Sequence, residues 1–320
     1  MKRLLLVVLV LATACAGGGH TLNPTLFAPP STTAAPSAPS ATPATPGCTE
    51  GTGGNVVAST RPLSPMPRAG QMPAGTFMRT ILDRGKLIVG TSPDQKLLGF
   101  VNPLNGQVEG LDVDLLKAVE QAIFGDQSPE HIQFVTLDLA QRIPFIQNGT
   151  VDIVADTMTI NCARRQQVDF SLEYYDAGQK VLVRSDSPAR SIDDLTGKKV
   201  CTAATSTSLD NIAKRPSHLV PYAVPDQSDC LVLFQSGVVD AISTDDTVLA
   251  GLAAQDPYAR VIGDRFSDEP YGIAISLKHP EMTAFVNGVL AGTDLQAVYA
   301  KWLGGILNPL PAVPVPKYKG

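Results

Sequence analysis

The chain has 320 residues, 44% of them hydrophobic and 17% charged, with a formal net charge of −5. That length can bury one large core or two modest ones, whereas the acidic balance excludes a protein that grips a phosphate backbone, which needs basic patches. No run of about 18 or more apolar residues is present, so no transmembrane helix is expected in the mature chain.

Lys2 and Arg3 precede an apolar run, Leu4 to Leu11, and then comes "ATACAGGG". A basic start, a short apolar stretch and small residues read as a secretory signal over residues 1–14. Cys15, directly after Ala-Thr-Ala, resembles the cysteine of a bacterial lipobox, although Ala12 stands where that motif usually has Leu. It is therefore expected to become the lipidated first residue, holding the protein on the extracytoplasmic face of the cell membrane. From Ala28 to Pro46 every residue is Ala, Pro, Ser or Thr, and a polar Gly- and Pro-rich character continues beyond. Such a stretch buries too little apolar surface to offset its ordering entropy. Residues 15–78 are read as a disordered tether, which as a flexible coil would reach about 45 Å.

From Lys86 the pattern alternates. "KLIVGT" reads as a buried strand, and "LDVDLLKAVEQAI" as a helix with Leu115, Leu116, Val119, Ala122 and Ile123 on one face and Asp112 and Asp114 near its start. "IQFVTL" (strand), "AQRIPFIQNG" (helix) and "VDIVAD" (strand) follow. A second series runs through strands at "QKVLVR", "KKVCTA", "LVPYAV" and "VDAIST", with helices at "TSLDNIAK", "SDCLVLFQSG" and "DDTVLAGLAA". "YGIAIS" reads as a further strand before two closing helices. Alternating strands and helices argue an α/β fold with mainly parallel sheets. One sub-pattern occurs twice, as "IPFIQNGTVDIVAD" and "CLVLFQSGVVDAISTD", which suggests two similar lobes with a ligand cleft between them.

Five cysteines are present; with Cys15 lipidated, Cys48, Cys162, Cys201 and Cys230 remain, and outside the cytoplasm these allow three disulfide pairings. None lies in a CxxC arrangement and the four histidines are scattered, so neither metal nor cofactor is expected. One short stretch asks a sharper question. In "DTMTINCARRQQVDFS" two arginines, Arg164 and Arg165, fall where a helix begins, and cations are mildly unfavourable at that end. Either they are solvated, or an anion belongs there.

The succession "VGTSP", "GLDVDLLKAV", "MTI…ARRQQVDFSLEYYDAGQKVLV", "DLTGKKV", "GVVDAI", "YGIAIS" and "VYAKWLGG" resembles the polar amino-acid binding proteins of ABC importers, solute-binding family 3. The resemblance implies a two-lobed periplasmic-binding-protein fold (type II) with two hinge strands between the lobes. The first lobe would comprise 79–183 and 269–310, the second 184–268, and 311–320 a C-terminal tail. It further implies that Arg164 clamps the α-carboxylate of a bound amino acid, as its bidentate donors suit, with Arg165 left as surface charge. Thr159 would touch the ligand through its hydroxyl and N–H, and Thr157, where relatives often have Gly, would offer its carbonyl to the α-ammonium. Ser206 and Thr207 would meet the carboxylate from the second lobe, and Asp245 would pair with the ammonium; helix capping is the alternative for Ser206, Thr207 and Asp245.

Departures from glutamine-binding relatives bear on the side-chain pocket. Ser92 replaces an aspartate, Gln95 an aromatic, Ala203 a lysine, and an aromatic near Leu139 is lost, while Lys96 appears beside the pocket. With hydroxyls from Ser92 and Thr205, Lys96 could receive a side-chain carboxylate, pointing to glutamate or aspartate, then glutamine or asparagine. The implied lobes place Cys201 and Cys230 together, leaving Cys48 of the tether for Cys162. The expected partners are a free amino acid and an ABC permease or a membrane sensor, with the protein itself a monomer. The same fold also hosts dehydratases and cell-wall lytic enzymes, which need an acid or base in the cleft; no such constellation is apparent, and no catalytic residue is expected.

Overall fold

The computed structural model describes residues 47–51 and 54–320. The signal segment, Cys15 and the tether up to residue 46 lie outside the described residues.

The first α/β series opens with α1 (Phe77–Arg84), started by Thr76, whose side chain accepts the Arg79 N–H, and stopped at Gly85. Then come β1 (Leu87–Thr91), β2 (Asp94–Gln95), β3 (Gly99–Val101), β4 (Val108–Glu109) and α2 (Leu111–Phe124), followed by β5 (Ile132–Thr136), α3 (Arg142–Gln147) and β6 (Ile153–Val154). The helix expected at the two arginines is a single turn, α4 (Cys162–Arg165), followed by β7 (Asp169–Phe170). The chain continues through β8 (Tyr175–Ala177), β9 (Gln179–Arg184), β10 (Lys199–Ala203), α5 (Thr207–Ala213), β11 (Val220–Val224), α6 (Asp229–Gln235), β12 (Ala241–Asp245), α7 (Asp246–Ala253) and β13 (Ala259–Ile262). The "YGIAIS" segment is not one strand: β14 (Glu269–Tyr271) and β15 (Ala274–Ile275) belong to different sheets. Helices α8 (Pro280–Gly292) and α9 (Leu295–Leu303) close the series.

Two five-stranded sheets result, in the orders β5-β1-β6-β15-β7 and β11-β10-β12-β9-β13. They share one plan. In each, three parallel strands lie in the order second, first, third, joined by helical crossovers as parallel strands require. An antiparallel strand follows next to the central one. The repeated sub-pattern of the sequence is the helix and central strand of each lobe, α3–β6 and α6–β12. Between the sheets β8 and β14 pair antiparallel, Tyr271 opposite Tyr175, and these are the two hinge strands. Strand β9 is hydrogen-bonded into the second sheet, although the sequence reading keeps residues 179–183 with the first lobe.

The lobes also meet away from the hinge. Val248 and Ala250 of α7 join the core that contains Leu97 and Leu98. Gly251 is required at this contact, since a Cβ there would lie 2.4 Å from the carbonyl oxygen of Lys96.

The packed domain begins earlier in the chain than composition suggests. Val56, Val57 and Met72 are only 4%, 8% and 2% exposed, so residues 54–78, read as disordered, are instead packed onto the domain. Val56 and Val57 sit among Met158, Ile160, Val168 and Phe170. Ser59 donates to the Phe170 carbonyl (2.7 Å) and pairs with Tyr318 of the C-terminal tail. Asn287 donates to the Ser59 hydroxyl (2.9 Å) and to the Thr60 carbonyl (2.6 Å). A few well-placed apolar side chains and satisfied backbone groups suffice here, which an average over composition does not register. Disulfides join Cys48 to Cys162 and Cys201 to Cys230.

Candidate ligand-binding site

In open α/β sheets ligands sit beyond the carboxyl ends of the parallel strands. Four such ends carry the residues of interest here. Ser92 follows β1, Asp156 to Thr159 follow β6, Thr205 to Thr207 follow β10, and Asp245 ends β12.

After β6 the chain turns sharply, and Thr157 has φ 46°. A β-branched residue is strained in this left-handed region, which glycine enters freely. The turn is held from three directions. The Thr157 N–H donates to Asp112 Oδ2 (2.8 Å), its hydroxyl donates to Gln95 Oε1 (3.0 Å), and Tyr174 fixes Asp112 by donating to Oδ1 (2.8 Å). Burial lifts the Asp112 carboxyl to about 7 even though both bonds favour its charged form. Strain so over-determined is a feature of functional sites.

Two residues on, Thr159 accepts Arg164 Nη1 on its carbonyl (2.8 Å). The Arg164 N–H is capped by Asn161 Oδ1 (2.8 Å), so the single turn of α4 aims this side chain back at Thr159. No carboxylate among the described residues lies within ion-pair distance of Arg164. Burial and the neighbouring Arg142 guanidinium together lower it to about 9, while the carboxylates of Glu269, Asp245 and Asp210 favour its charge. Arg165 is not the surface charge the sequence suggests. Its Nε donates to the Val56 carbonyl, Nη1 to Asp169 Oδ1 (3.2 Å), and its guanidinium lies over Phe170. It locks the N-terminal segment onto the lobe.

From the second lobe comes Asp245, at the N-cap of α7 yet making no cap bond with its side chain. Its Oδ2 accepts the Tyr271 hydroxyl (2.6 Å) from the hinge, and its buried Oδ1 has no partner among the described residues. Burial, then Glu269, push this carboxyl well up; the Tyr271 hydroxyl and Arg164 oppose them. Ser206 does cap α5, accepting the Leu209 N–H (3.3 Å) and donating to the Ala203 carbonyl (2.7 Å). Thr207 points elsewhere, donating to Glu269 Oε2 (2.7 Å). Thr205 is exposed on the loop.

Around Ser92 the side chains form a tight polar knot. The Ser92 N–H donates to Asp156 Oδ1 (3.1 Å), and Gln95 Nε2 donates to the Ser92 hydroxyl (3.1 Å). Lys96 is half-buried, its backbone against Gly251, and makes no ion pair among the described residues. The cation that the structure places deep in this region is Arg142, which is 3% exposed. Its Nε donates to the Leu139 carbonyl (3.1 Å) and Nη1 to the Asp156 carbonyl (3.0 Å), with the Asp156 carboxylate 3.9 Å from Nε. Burial lowers Arg142, and the charges of Asp156 and Asp245 counter this. Sequence reading passed over it because, in "AQRIPFIQNG", an arginine at the polar start of an amphipathic helix looks solvated. Asp112, read only as a helix-start residue, and Glu269 and Tyr271 of the hinge were likewise not singled out.

A cleft of about 700 Å³ adjoins these groups and shares Thr159, Thr207 and Glu269 with them, but neither Arg164 nor Asp245 lines it. Its wall carries Glu50, Glu173, Asp176, Asp210 and Asp268 against Lys214 and Lys317.

Two lobes of matching topology, two hinge strands, and charged groups from both lobes at the carboxyl ends of their sheets are the architecture of a two-lobed binding protein. Residues 87–305 match the model of the bacterial extracellular solute-binding proteins, family 3, and the chain belongs to that family. It is 42% identical over 202 residues to the glutamine-binding protein of Geobacillus stearothermophilus, covering 62% of this chain and 76% of that one. Over 231 residues it is 32% identical to the glutamate-binding protein GluB of Corynebacterium efficiens, covering 69% and 78%. Among solved structures, an ancestral arginine-binding protein bound to glutamine superposes with a TM-score of 0.63 at 33% identity, covering 69% of this chain and 99% of that one.

Proposed function

We propose that this protein captures an acidic amino acid, glutamate or aspartate, between its two lobes and delivers it to an ABC importer, held to the outer face of the membrane through a lipid on Cys15. The observation that carries the reading is the pair Arg164 and Asp245. Among the described residues, one is a desolvated guanidinium without a carboxylate partner, the other a buried carboxylate with an unpartnered oxygen, and they come from opposite lobes. Buried charges are costly unless paired, and a zwitterionic α-amino acid supplies both missing partners at once. Arg164 takes the α-carboxylate, and Asp245, with the Thr157 carbonyl, takes the ammonium.

The preference for an acidic side chain rests on Arg142 rather than on Lys96. Carbonyls take two of its five donors, leaving capacity for an anion beside Asp156. A glutamine-binding and a glutamate-binding protein both stand among the relatives, so amides are the runner-up ligands. Binding of this kind makes and breaks no bond; the lobes close as a hinge. The test is a thermal-shift screen of the twenty amino acids followed by calorimetry, since a ligand selective for the folded state raises its melting temperature. Glutamate or aspartate should give the largest shifts. Tight binding of glutamine or arginine with none of glutamate or aspartate would overturn the assignment.

A further inference from the structure

Glu269 opens the hinge strand β14 and is 2% exposed. Its Oε2 accepts two hydroxyls, Thr159 Oγ1 at 2.8 Å and Thr207 Oγ1 at 2.7 Å. Its Oε1 accepts Asn211 Nδ2 at 2.8 Å and Ser267 Oγ at 2.7 Å. Thr159 belongs to the first lobe, whereas Thr207 and Asn211 stand on α5 of the second. A carboxylate offers about four acceptor positions, and all are taken, by donors from both lobes and the hinge.

We propose that Glu269 is an interlobe latch: it holds Thr159 and Thr207 to one oxygen, favours the closed arrangement before any ligand arrives, and withdraws both hydroxyls from the ligand's α-carboxylate. That carboxylate is then left to Arg164 and to backbone N–H groups. The latch deepens the amino-acid reading and rests on it only where ligand affinity is measured. Other contacts also cross between the lobes: Ser228 donates to Asp94, Tyr271 of the hinge donates to Asp245, the Thr159 and Thr207 hydroxyls lie 3.4 Å apart, Gly251 abuts Lys96, and Val248 and Ala250 join the core around Leu97 and Leu98. Glu269 differs from them because a single carboxylate oxygen is shared by hydroxyls from both sides, while, like Asp94 and Asp245, it accepts in the stronger class of bonds, those to charged groups. Its position also couples closure to the cradle, since its charge raises Asp245 and supports the Arg164 guanidinium. A ligand that binds the closed state gains apparent affinity in proportion to how far that state is already populated.

Hydrogen exchange of the ligand-free full-length chain tests this, read over residues 92–98 and 204–211, the segments that carry the interlobe contacts of Asp94, Lys96, Thr207 and Asn211. Where opening is fast, exchange scales with the open fraction. Glu269→Ala should speed exchange there by about tenfold or more, and Glu269→Gln, which keeps a neutral acceptor for the hydroxyls, by roughly threefold. L-Glutamate affinity, read by calorimetry, should weaken by no more than the same factors. Thr207→Val combined with Glu269→Ala should cost less than the sum of the two, because each removes the Thr207–Glu269 bond. Exchange over β10 should not change in any variant. Interlobe exchange within twofold of the parent in both Glu269 variants overturns the latch, as does equal acceleration in β10, which would mean general loosening. Additive effects of Thr207→Val and Glu269→Ala overturn the shared bond. If interlobe exchange speeds as expected while the parent protein binds no glutamate, the latch stands and the ligand assignment fails.

Discussion

Arg164→Ala is the most direct perturbation of the proposed cradle. Among the described residues only Nη1 has an acceptor, the Thr159 carbonyl at 2.8 Å, so most of the guanidinium's donors remain for a ligand carboxylate. The side chain is desolvated and is the cation that offsets Asp245 and Glu269 on the facing elements. Removing one partner of a buried ion pair costs about 3–5 kcal/mol, which corresponds to roughly a hundred- to several-thousand-fold in dissociation constant. Part of that cost would be the carboxylate left buried without a cation. Arg164→Lys keeps the charge but loses the planar fork, so it should fall between the parent and the alanine variant. Isothermal calorimetry with whichever amino acid gives the largest thermal shift is the assay, with the melting temperature of the free variant as the folding control. A dissociation constant within threefold of the parent, in a variant that folds, would refute the assignment of Arg164 and the charge argument behind it.

Arg142→Met should lower glutamate affinity about ten- to a hundredfold and leave glutamine affinity nearly unchanged; equal losses for both ligands would mean that Arg142 only braces the Asp156 turn. Stability should fall as pH rises from 5 to 8, because burial lifts Asp112 to about 7, Glu173 to about 7 and Asp226 to about 6. Each of these carboxyls holds its proton more tightly in the fold than in the unfolded chain, so its contribution is full below about 4 and lost as pH passes the folded value. Urea unfolding at several pH values measures this, and Asp112→Asn should flatten the slope. Replacing both Cys48 and Cys162 by Ser should lower stability by about 2–5 kcal/mol, as expected for a long closed loop. Protease cleavage should then appear within residues 54–63 if the segment depends on that tie. Arg165→Ala should loosen the same segment, through loss of its bonds to Val56 and Asp169, with little effect on ligand affinity.

Local pattern was enough to read the strand–helix alternation, because the period of apolar residues encodes which face is buried. The repeated helix–Gly–strand segment was enough to suggest two lobes. Thr157, Thr159 and Arg164, proposed as the first-lobe side of the cradle, were singled out by resemblance to the family. They lie within eight residues on one strand exit and one turn of helix, so short-range backbone geometry alone carries them to the same place. Arg165 shows where that reach ends. Adjacent in sequence to Arg164, it binds a carbonyl 109 residues away, and nothing nearby in the chain announces that partner. Residues 54–78 were misread on the same ground, since low apolar content argues disorder only if no surface awaits the few apolar side chains present.

Which charges end up desolvated, and opposite what, depends on burial and on the approach of distant strands. Arg142 becomes a buried cation because the β6 turn folds over it, and Asp245 is left without a full set of partners because α7 is capped without its side chain. Glu269 joins three elements that meet only when both lobes are assembled around the hinge. The succession of strands and helices and the spacing of the proposed cradle's first-lobe residues are properties of the linear chain. The electrostatic character of that cradle is a property of the assembled fold, because desolvation and long-range pairing exist only once the lobes have come together.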